Sequence, residues 1–206
     1  MEIEINCQKV TLRGDLTVPD KASGTVIFVH GSGSSRHSPR NRSVARYLND
    51  AGFATLLFDL LTENEEIDRD NVFDIELLAQ RLIEVTKWIS SHEKLSKFPI
   101  GYFGASTGAA AALVAVTVLG NEVSAIVSRG GRVDLAGDYL EKVVTPTLML
   151  IGDEDREVLA LNYQAQKRLG GINEIEVVPG ATHLFEEPGA LEVVARSASR
   201  WFLRYF

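Results

Sequence analysis

The chain has 206 residues, 45% of them hydrophobic and 24% charged, and a formal net charge of −7 at pH 7. This composition is typical of a folded globular protein, and the acidic balance argues against a nucleic-acid-binding surface, which needs clustered lysine and arginine. The single cysteine, Cys7, excludes an internal disulfide and a metal site built from several cysteines.

The first predicted elements are strands. Residues 2–6 and 9–18 alternate polar and apolar side chains, which predicts a half-solvated antiparallel pair. Residues 24–30 and 53–59 are continuous apolar runs, typical of strands covered on both faces. A glycine- and serine-rich loop and a helix over about residues 40–51 separate these two runs.

The middle of the chain begins with a polar, acidic connection over residues 60–73, which we expect to be mobile. The next segment, about residues 74–91, carries apolar side chains at the spacing of one buried helical stripe. Strands and helices then alternate. The predicted strands are residues 98–104, 122–130, 145–153 and 173–180, and the predicted helices are residues 106–119, 158–169 and 188–205, with a short helix or loop over 134–143.

This alternation predicts the overall architecture. It indicates one α/β domain over residues 1–206, with a mostly parallel sheet, antiparallel N-terminal strands and helices on both faces. Only about 16 residues, 130–145, separate the strand after the Ser106 helix from the next one. We therefore expect no lid domain and an open, shallow site at the carboxyl edge of the sheet.

A candidate nucleophile lies in the motif Gly-Ala-Ser-Thr-Gly, residues 104–108, between a predicted buried strand and a predicted helix. The pattern G-x-S-x-G in this context is typical of a sharp turn that exposes the central serine, here Ser106. The glycines avoid collisions with neighbouring backbone, and Ala109–Ala112 allow the helix to approach the sheet closely. The alternative is that Ser106 is only one small residue in a Gly/Ala-rich connection. The presence of a base and a carboxylate near Ser106 decides between these two interpretations.

A serine hydroxyl needs a nearby base, and the chain offers four histidines. His183 follows the last predicted strand and reaches the same edge as Ser106. His92 ends a long helix, His37 lies in a loop or first turn, and a histidine at the position of His30 more often braces the following loop. We therefore predict that His183 is the base.

The base needs a carboxylate that fixes its tautomer. The loop after the penultimate strand offers Asp153, Glu154 and Asp155. Asp155 fits best because its spacing places the carboxylate just beyond the strand, and Asp153 is the second choice. The order Ser106, Asp155, His183 is the order that α/β-hydrolase folds use.

Four segments, FVHGSGSS, GASTG, IGDEDREV and PGATHLF, together resemble the α/β-hydrolase superfamily and, within it, the dienelactone hydrolase-like proteins. The resemblance covers essentially the whole chain and implies an α/β-hydrolase fold. Dienelactone hydrolase itself has a cysteine nucleophile where this chain has Ser106, and Cys7 lies too far away to replace it. The resemblance also implies that the backbone N–H groups of Ser32 and Thr107 form the oxyanion hole.

Arginines gather near the predicted site. Arg36, Arg40 and Arg42 lie near a helix start, where positive charge opposes the helix dipole, and Arg129 and Arg132 follow another strand. Arg36 and Arg129 are candidates to bind a substrate carboxylate or phosphate in a fork geometry. The alternative is that these arginines pair with the acidic connection or with Asp59.

These features predict a serine hydrolase that cleaves small carboxylic esters or lactones through an acyl-enzyme. The alternatives are an acyltransferase or peptidase with the same triad, or a non-catalytic binding protein that kept the fold. We expect no cofactor and no metal, a small-molecule ester as the partner, no nucleic acid or membrane, and a monomer or homodimer. The acidic N-terminal segment and the short apolar runs lead us to expect a cytoplasmic location, without a secretory signal or membrane span.

Overall fold

The computed structural model describes residues 1–206 and contains one eight-stranded sheet. Its strands are β1 (Glu2–Asn6), β2 (Thr11–Thr17), β3 (Thr25–Val29), β4 (Ala54–Phe58), β5 (Ile100–Ala105), β6 (Ala125–Arg129), β7 (Thr147–Gly152) and β8 (Asn173–Val178). The strand order is β1-β2-β4-β3-β5-β6-β7-β8. β1 and β2 pair antiparallel, β2 is antiparallel to β4, and all other pairs are parallel. The predicted mostly parallel sheet with an antiparallel N-terminal ribbon is confirmed.

Seven α-helices connect or follow the strands. They are α1 (Pro39–Asp50), α2 (Glu63–Glu66), α3 (Arg69–Phe73), α4 (Ile75–Ser91), α5 (Thr107–Leu119), α6 (Arg156–Gln166) and α7 (Ala190–Tyr205). The long helices cover both faces of the sheet. Apolar side chains of α4, α5 and α6 form a core on one face, and those of α1 and α7 form a second core on the other. No helix combines the length and the apolar character that a membrane crossing requires.

Complete burial on both faces explains the continuous apolar strands. Every residue of β3, β4 and β5 is buried, so these strands have no solvent face that would call for alternating polar residues. By contrast, β2 alternates exposed and buried residues because one of its faces is solvated. The carboxyl ends of β3, β5, β6 and β7 therefore meet at one edge of a rigid, buried sheet.

Two connections near that edge have their own structure. The acidic connection over residues 60–73, expected to be mobile, contains α2 and α3, and a capping box between Thr62 and Glu65 closes the start of α2. Residues 133–142 form a kinked 3-10 helix rather than an inserted domain. The structure has no lid domain, as predicted.

Candidate active site

Ser106 lies on a sharp turn between β5 and α5. Its backbone has φ 50° and ψ −123°, a region that residues with a side chain rarely adopt. Strain of this kind persists only where the surroundings enforce it, and it is common at functional sites. The turn points the Ser106 side chain out at the carboxyl edge of the sheet, where it is partly exposed. The backbone thus turns sharply at Ser106, in the way that the G-x-S-x-G pattern predicts.

The flanking glycines are needed because backbone atoms approach them closely. A Cβ on Gly108 would lie 2.2 Å from the Val29 carbonyl oxygen, and a Cβ on Gly104 would lie 2.6 Å from the Ala109 Cα atom. Both distances are far below van der Waals contact, and both neighbours are backbone atoms that cannot turn away. The glycines thus allow α5 to pack directly against β3 and β5.

This packing leads to a testable result for Gly108→Ala. We expect the substitution to lower the free energy of unfolding by at least about 3 kcal/mol, since the new methyl group collides with β3. The control is Gly120→Ala, where φ is positive, at 55°, unlike that of Gly108, but no atom lies within 4 Å of the new Cβ. The control should cost only the backbone strain of about 1–2 kcal/mol. Urea unfolding measures both, and equal losses would contradict the close approach.

His183 and Asp155 are hydrogen-bonded to each other. The distance from His183 Nδ1 to Asp155 Oδ2 is 2.6 Å, and the Asp155 side chain is largely buried while that of His183 is partly exposed. With its proton on Nδ1 donated to the carboxylate, the ring presents an unprotonated Nε2 as a base. Asp153, the second choice, instead accepts a hydrogen bond from the Gly180 backbone N–H at 2.6 Å.

The turn at Arg129 and Gly130 connects Ser106 with the His183 loop. The Ser106 N–H donates to the Arg129 carbonyl oxygen at 3.3 Å. A Cβ on the next residue, Gly130, would lie 3.2 Å from the His183 carbonyl oxygen and 3.4 Å from His183 Nδ1. Ser106 and the His183 loop therefore both lie against this backbone turn. No hydrogen bond joins their side chains here, and in unliganded sites such bonds are often long until substrate binds.

The two residues expected to supply the oxyanion hole contact each other through a hydrogen bond that sequence reasoning missed. The Ser32 backbone N–H donates to the Thr107 side-chain Oγ1 at 2.9 Å. A substrate oxyanion would have to share this N–H with the hydroxyl or displace it. Without substrate, the Thr107 hydroxyl holds the loop of residue 32 against the turn at Ser106. The G-x-S-x-G pattern leaves the residue after the serine unspecified, so it carried no signal for this contact.

His30 has the bracing role expected of it. Its ring is buried, Nδ1 lies 3.0 Å from the Gly31 carbonyl oxygen, and Nε2 accepts the Leu60 N–H at 3.1 Å. Burial lowers the pKa of His30 below its ordinary 6.5, so the ring stays neutral and keeps both bonds. It thereby ties the loop after β3 to the segment after β4.

The arginines differ in their partners. Arg36 forms an ion pair with Asp59, and Arg132 pairs with Asp134 at 2.8 Å. For Arg36 the structure shows the pairing alternative, and its side chain is only 10% exposed. Arg132 instead pairs with an acid outside the acidic connection. Arg129 has no carboxylate partner, although it is buried.

A cleft of about 540 Å³ borders the predicted oxyanion loop. One wall is the loop of residues 30–35, and the opposite wall comes from α3 and the segment before α2. Apolar side chains form much of the lining, namely Leu60, Leu61, Val72, Phe73 and Leu78. Glu66 and Arg69 add one charge of each sign. Sequence reasoning gave these residues no functional role, because it placed most of them in a connection over 60–73 that it expected to be mobile and Leu78 on a buried helix stripe.

Comparisons with known proteins show which family and fold the chain is similar to. The model of the dienelactone hydrolase family matches residues 12–206. A crystal structure of a dienelactone hydrolase from Anabaena variabilis is 49% identical, with a TM-score of 0.97, over 100% of this chain and 97% of that one. Est1E from Butyrivibrio proteoclasticus shares the fold at 16% identity and a TM-score of 0.84, over 99% of this chain and 98% of its own.

Proteins from two Mycobacterium tuberculosis strains, provisionally named phosphoribosyl transferases, are 59% identical over 202 residues. The match covers 98% of this chain but 46% of theirs, so the chain spans less than half the length of these curated relatives. The family model, by contrast, covers nearly the whole chain, and the Anabaena structure matches it from end to end. The chain therefore belongs to the dienelactone hydrolase family and has the α/β-hydrolase fold.

Proposed function

We propose that this protein is a serine hydrolase that cleaves small carboxylic esters or lactones. The observation that carries the proposal is the pairing of His183 with Asp155 at 2.6 Å beside a serine on a strained turn. A buried carboxylate behind a histidine, at the edge where a nucleophile is exposed, is the arrangement that activates a hydroxyl.

The reaction begins when the Ser106 oxygen attacks the carbonyl carbon of the ester. His183 Nε2 takes the hydroxyl proton, and Asp155 stabilises the imidazolium that forms. The carbonyl oxygen becomes an oxyanion, which accepts hydrogen bonds from the backbone N–H groups of Ser32 and Thr107. The Ser32 N–H becomes available when its hydrogen bond to the Thr107 hydroxyl breaks. Collapse breaks the bond to the leaving alcohol, which takes the proton from His183. Water then attacks the acyl-enzyme by the same route and releases the acid and the free serine.

The cleft supports small substrates. It is open along one side, and no lid domain supplies a large apolar cover of the kind that long acyl chains need. Its apolar wall, made by α3 and the segment before α2, suits a short acyl or aromatic group. The name of the Anabaena relative, a dienelactone hydrolase, supports lactones as one of the substrate classes that we propose.

The transferase name of the mycobacterial relatives requires a separate interpretation. Those proteins are more than twice the length of the match, and the matched part lies in a hydrolase family. We infer that any phosphoribosyl transfer resides in the part of those relatives that this chain does not match.

A substrate panel tests the proposal. We expect turnover of acetyl and butyryl esters and of simple lactones, and at least about tenfold lower kcat/KM for dodecanoyl esters, which the cleft cannot enclose. Phosphoribosyl diphosphate, offered with an acceptor base, should give no diphosphate release above the buffer rate. Ester and lactone rates equal to the buffer rate, or diphosphate release at a catalytic rate, would contradict the proposal.

A further inference from the structure

Arg129 is a buried arginine without a counter-ion. It is the last residue of β6, and its side chain lies on the face of the sheet that α1 and α7 cover. It is 7% exposed. Its guanidinium has only long contacts, from Nη1 to the Leu184 carbonyl oxygen at 3.4 Å and from Nη2 to Asn41 Oδ1 at 3.5 Å, and its Nε has no partner.

A second arginine adds to the positive charge. Arg40 lies in the first turn of α1, and its Nε is also buried without a partner. Its Nη1 contacts one oxygen of Glu186 at 2.8 Å, and that glutamate is 62% exposed. Burial, together with the nearby charge of Arg40, lowers the pKa of Arg129 to about 10.

The start of α1 adds to the uncompensated positive charge of the two arginines. α1 has no acidic residue in its first turn, and the neutral Ser38 hydroxyl caps only the Asn41 N–H, so no carboxylate of this turn balances the partial positive charge of the helix N-terminus. Two guanidinium groups near the start of α1 thus share a single exposed carboxylate. A buried, uncompensated charge is costly unless a counter-ion binds there, and planar guanidinium donors match the oxygens of carboxylates and phosphates.

We propose that Arg129, Arg40 and the N-terminus of α1 form a binding site for a small anion that carries a phosphate or carboxylate group. When the site is free, the Glu186 carboxylate pairs with Arg40, and the incoming anion displaces this carboxylate. The site is distinct from the cleft at the Ser32 loop, which other residues line. It adjoins the His183 loop through Leu184 and through Phe185, whose ring centroid lies 5.7 Å from Arg129 Cζ. Binding at this site does not depend on the proposed hydrolysis.

Calorimetric titration with inorganic phosphate and with acetate at low ionic strength tests the site. We expect saturable one-to-one binding of at least one of the two anions to the wild-type protein. Arg40→Gln should weaken it about tenfold or more, since a charge-assisted hydrogen bond is lost. Glu186→Gln should tighten it about three- to fivefold, because an exposed carboxylate no longer competes for Arg40. Both residues are partly exposed, so neither substitution threatens folding.

The matched control is Arg46→Gln, which removes one exposed positive charge from the same helix and should leave the affinity unchanged. No binding to the wild type, or equal weakening by Arg40→Gln and Arg46→Gln, would overturn the site and leave Arg129 as a brace of the His183 loop. Where the site binds, the same anion added to the ester assay identifies the source. A raised KM indicates an anionic group of the substrate, and a changed kcat at constant KM indicates a separate effector.

Discussion

Replacement of Ser106 by alanine is expected to lower kcat for ester hydrolysis by at least about 10,000-fold, because no other group at the site can form the acyl-enzyme. The residual rate over buffer would come from substrate binding and the oxyanion donors alone. The fold should persist, since alanine removes only the hydroxyl and Ser106 Oγ makes no hydrogen bond within the protein. Steady-state kinetics with a butyryl ester measures the loss.

A matched serine substitution separates the loss of the nucleophile from a general effect of removing a serine hydroxyl. Ser91→Ala removes an exposed hydroxyl at the end of α4, which donates only to the Trp88 carbonyl oxygen at 2.9 Å. Its kcat should equal that of the wild-type protein. A Ser106→Ala protein that keeps more than about a tenth of the wild-type kcat would rule out Ser106 as the nucleophile.

Asp155→Asn is expected to have the second largest effect, a loss of about 1,000- to 10,000-fold in kcat with the fold retained. An asparagine amide at this position offers His183 Nδ1 an N–H donor or a neutral oxygen instead of a carboxylate. The ring then favours the tautomer with its proton on Nε2, which cannot accept the serine proton, and the imidazolium loses its counter-ion. Comparison of kcat at constant pH between the variant and the wild type measures this loss.

The neighbouring acid provides the control for Asp155. In Asp153→Asn the side chain keeps an oxygen that can accept the Gly180 N–H, so the loop geometry should survive. We expect its kcat to stay within about tenfold of wild type, because Asp153 does not contact the base. A larger loss in Asp153→Asn than in Asp155→Asn would show that the acid was assigned to the wrong residue.

Much of the fold could be predicted from short sequence patterns, because each pattern reflects the burial of a strand face or the close approach of backbone at a turn. The continuous apolar runs of β3 and β4 predict strands covered on both faces, and the alternation in β2 predicts a solvated face. Gly104 and Gly108 around Ser106 predict a tight turn since a side chain there would meet backbone. The alternation of strands and helices then brings residues 106, 155 and 183 to one edge.

The remaining features depend on contacts between distant segments, which local pattern does not encode. Spacing favours Asp155 over Asp153, but only the fold shows which carboxylate contacts the His183 ring. The Ser32 N–H bond to the Thr107 hydroxyl joins residues 75 positions apart. The same holds for the arginines. Arg36 forms an ion pair with Asp59, 23 residues further along the chain, whereas Arg129 forms no ion pair with a carboxylate.

The most direct test of the proposed triad is covalent labelling with a fluorophosphonate, followed by peptide mass analysis. An activated serine attacks the phosphorus atom and displaces fluoride, which leaves a stable adduct on the nucleophile. We predict one adduct per chain, located on Ser106, with labelling lost in Ser106→Ala and slowed at least about 100-fold in His183→Ala. An unlabelled wild-type protein, or an adduct on any other residue, would contradict the assignment of Ser106, His183 and Asp155 as one catalytic unit.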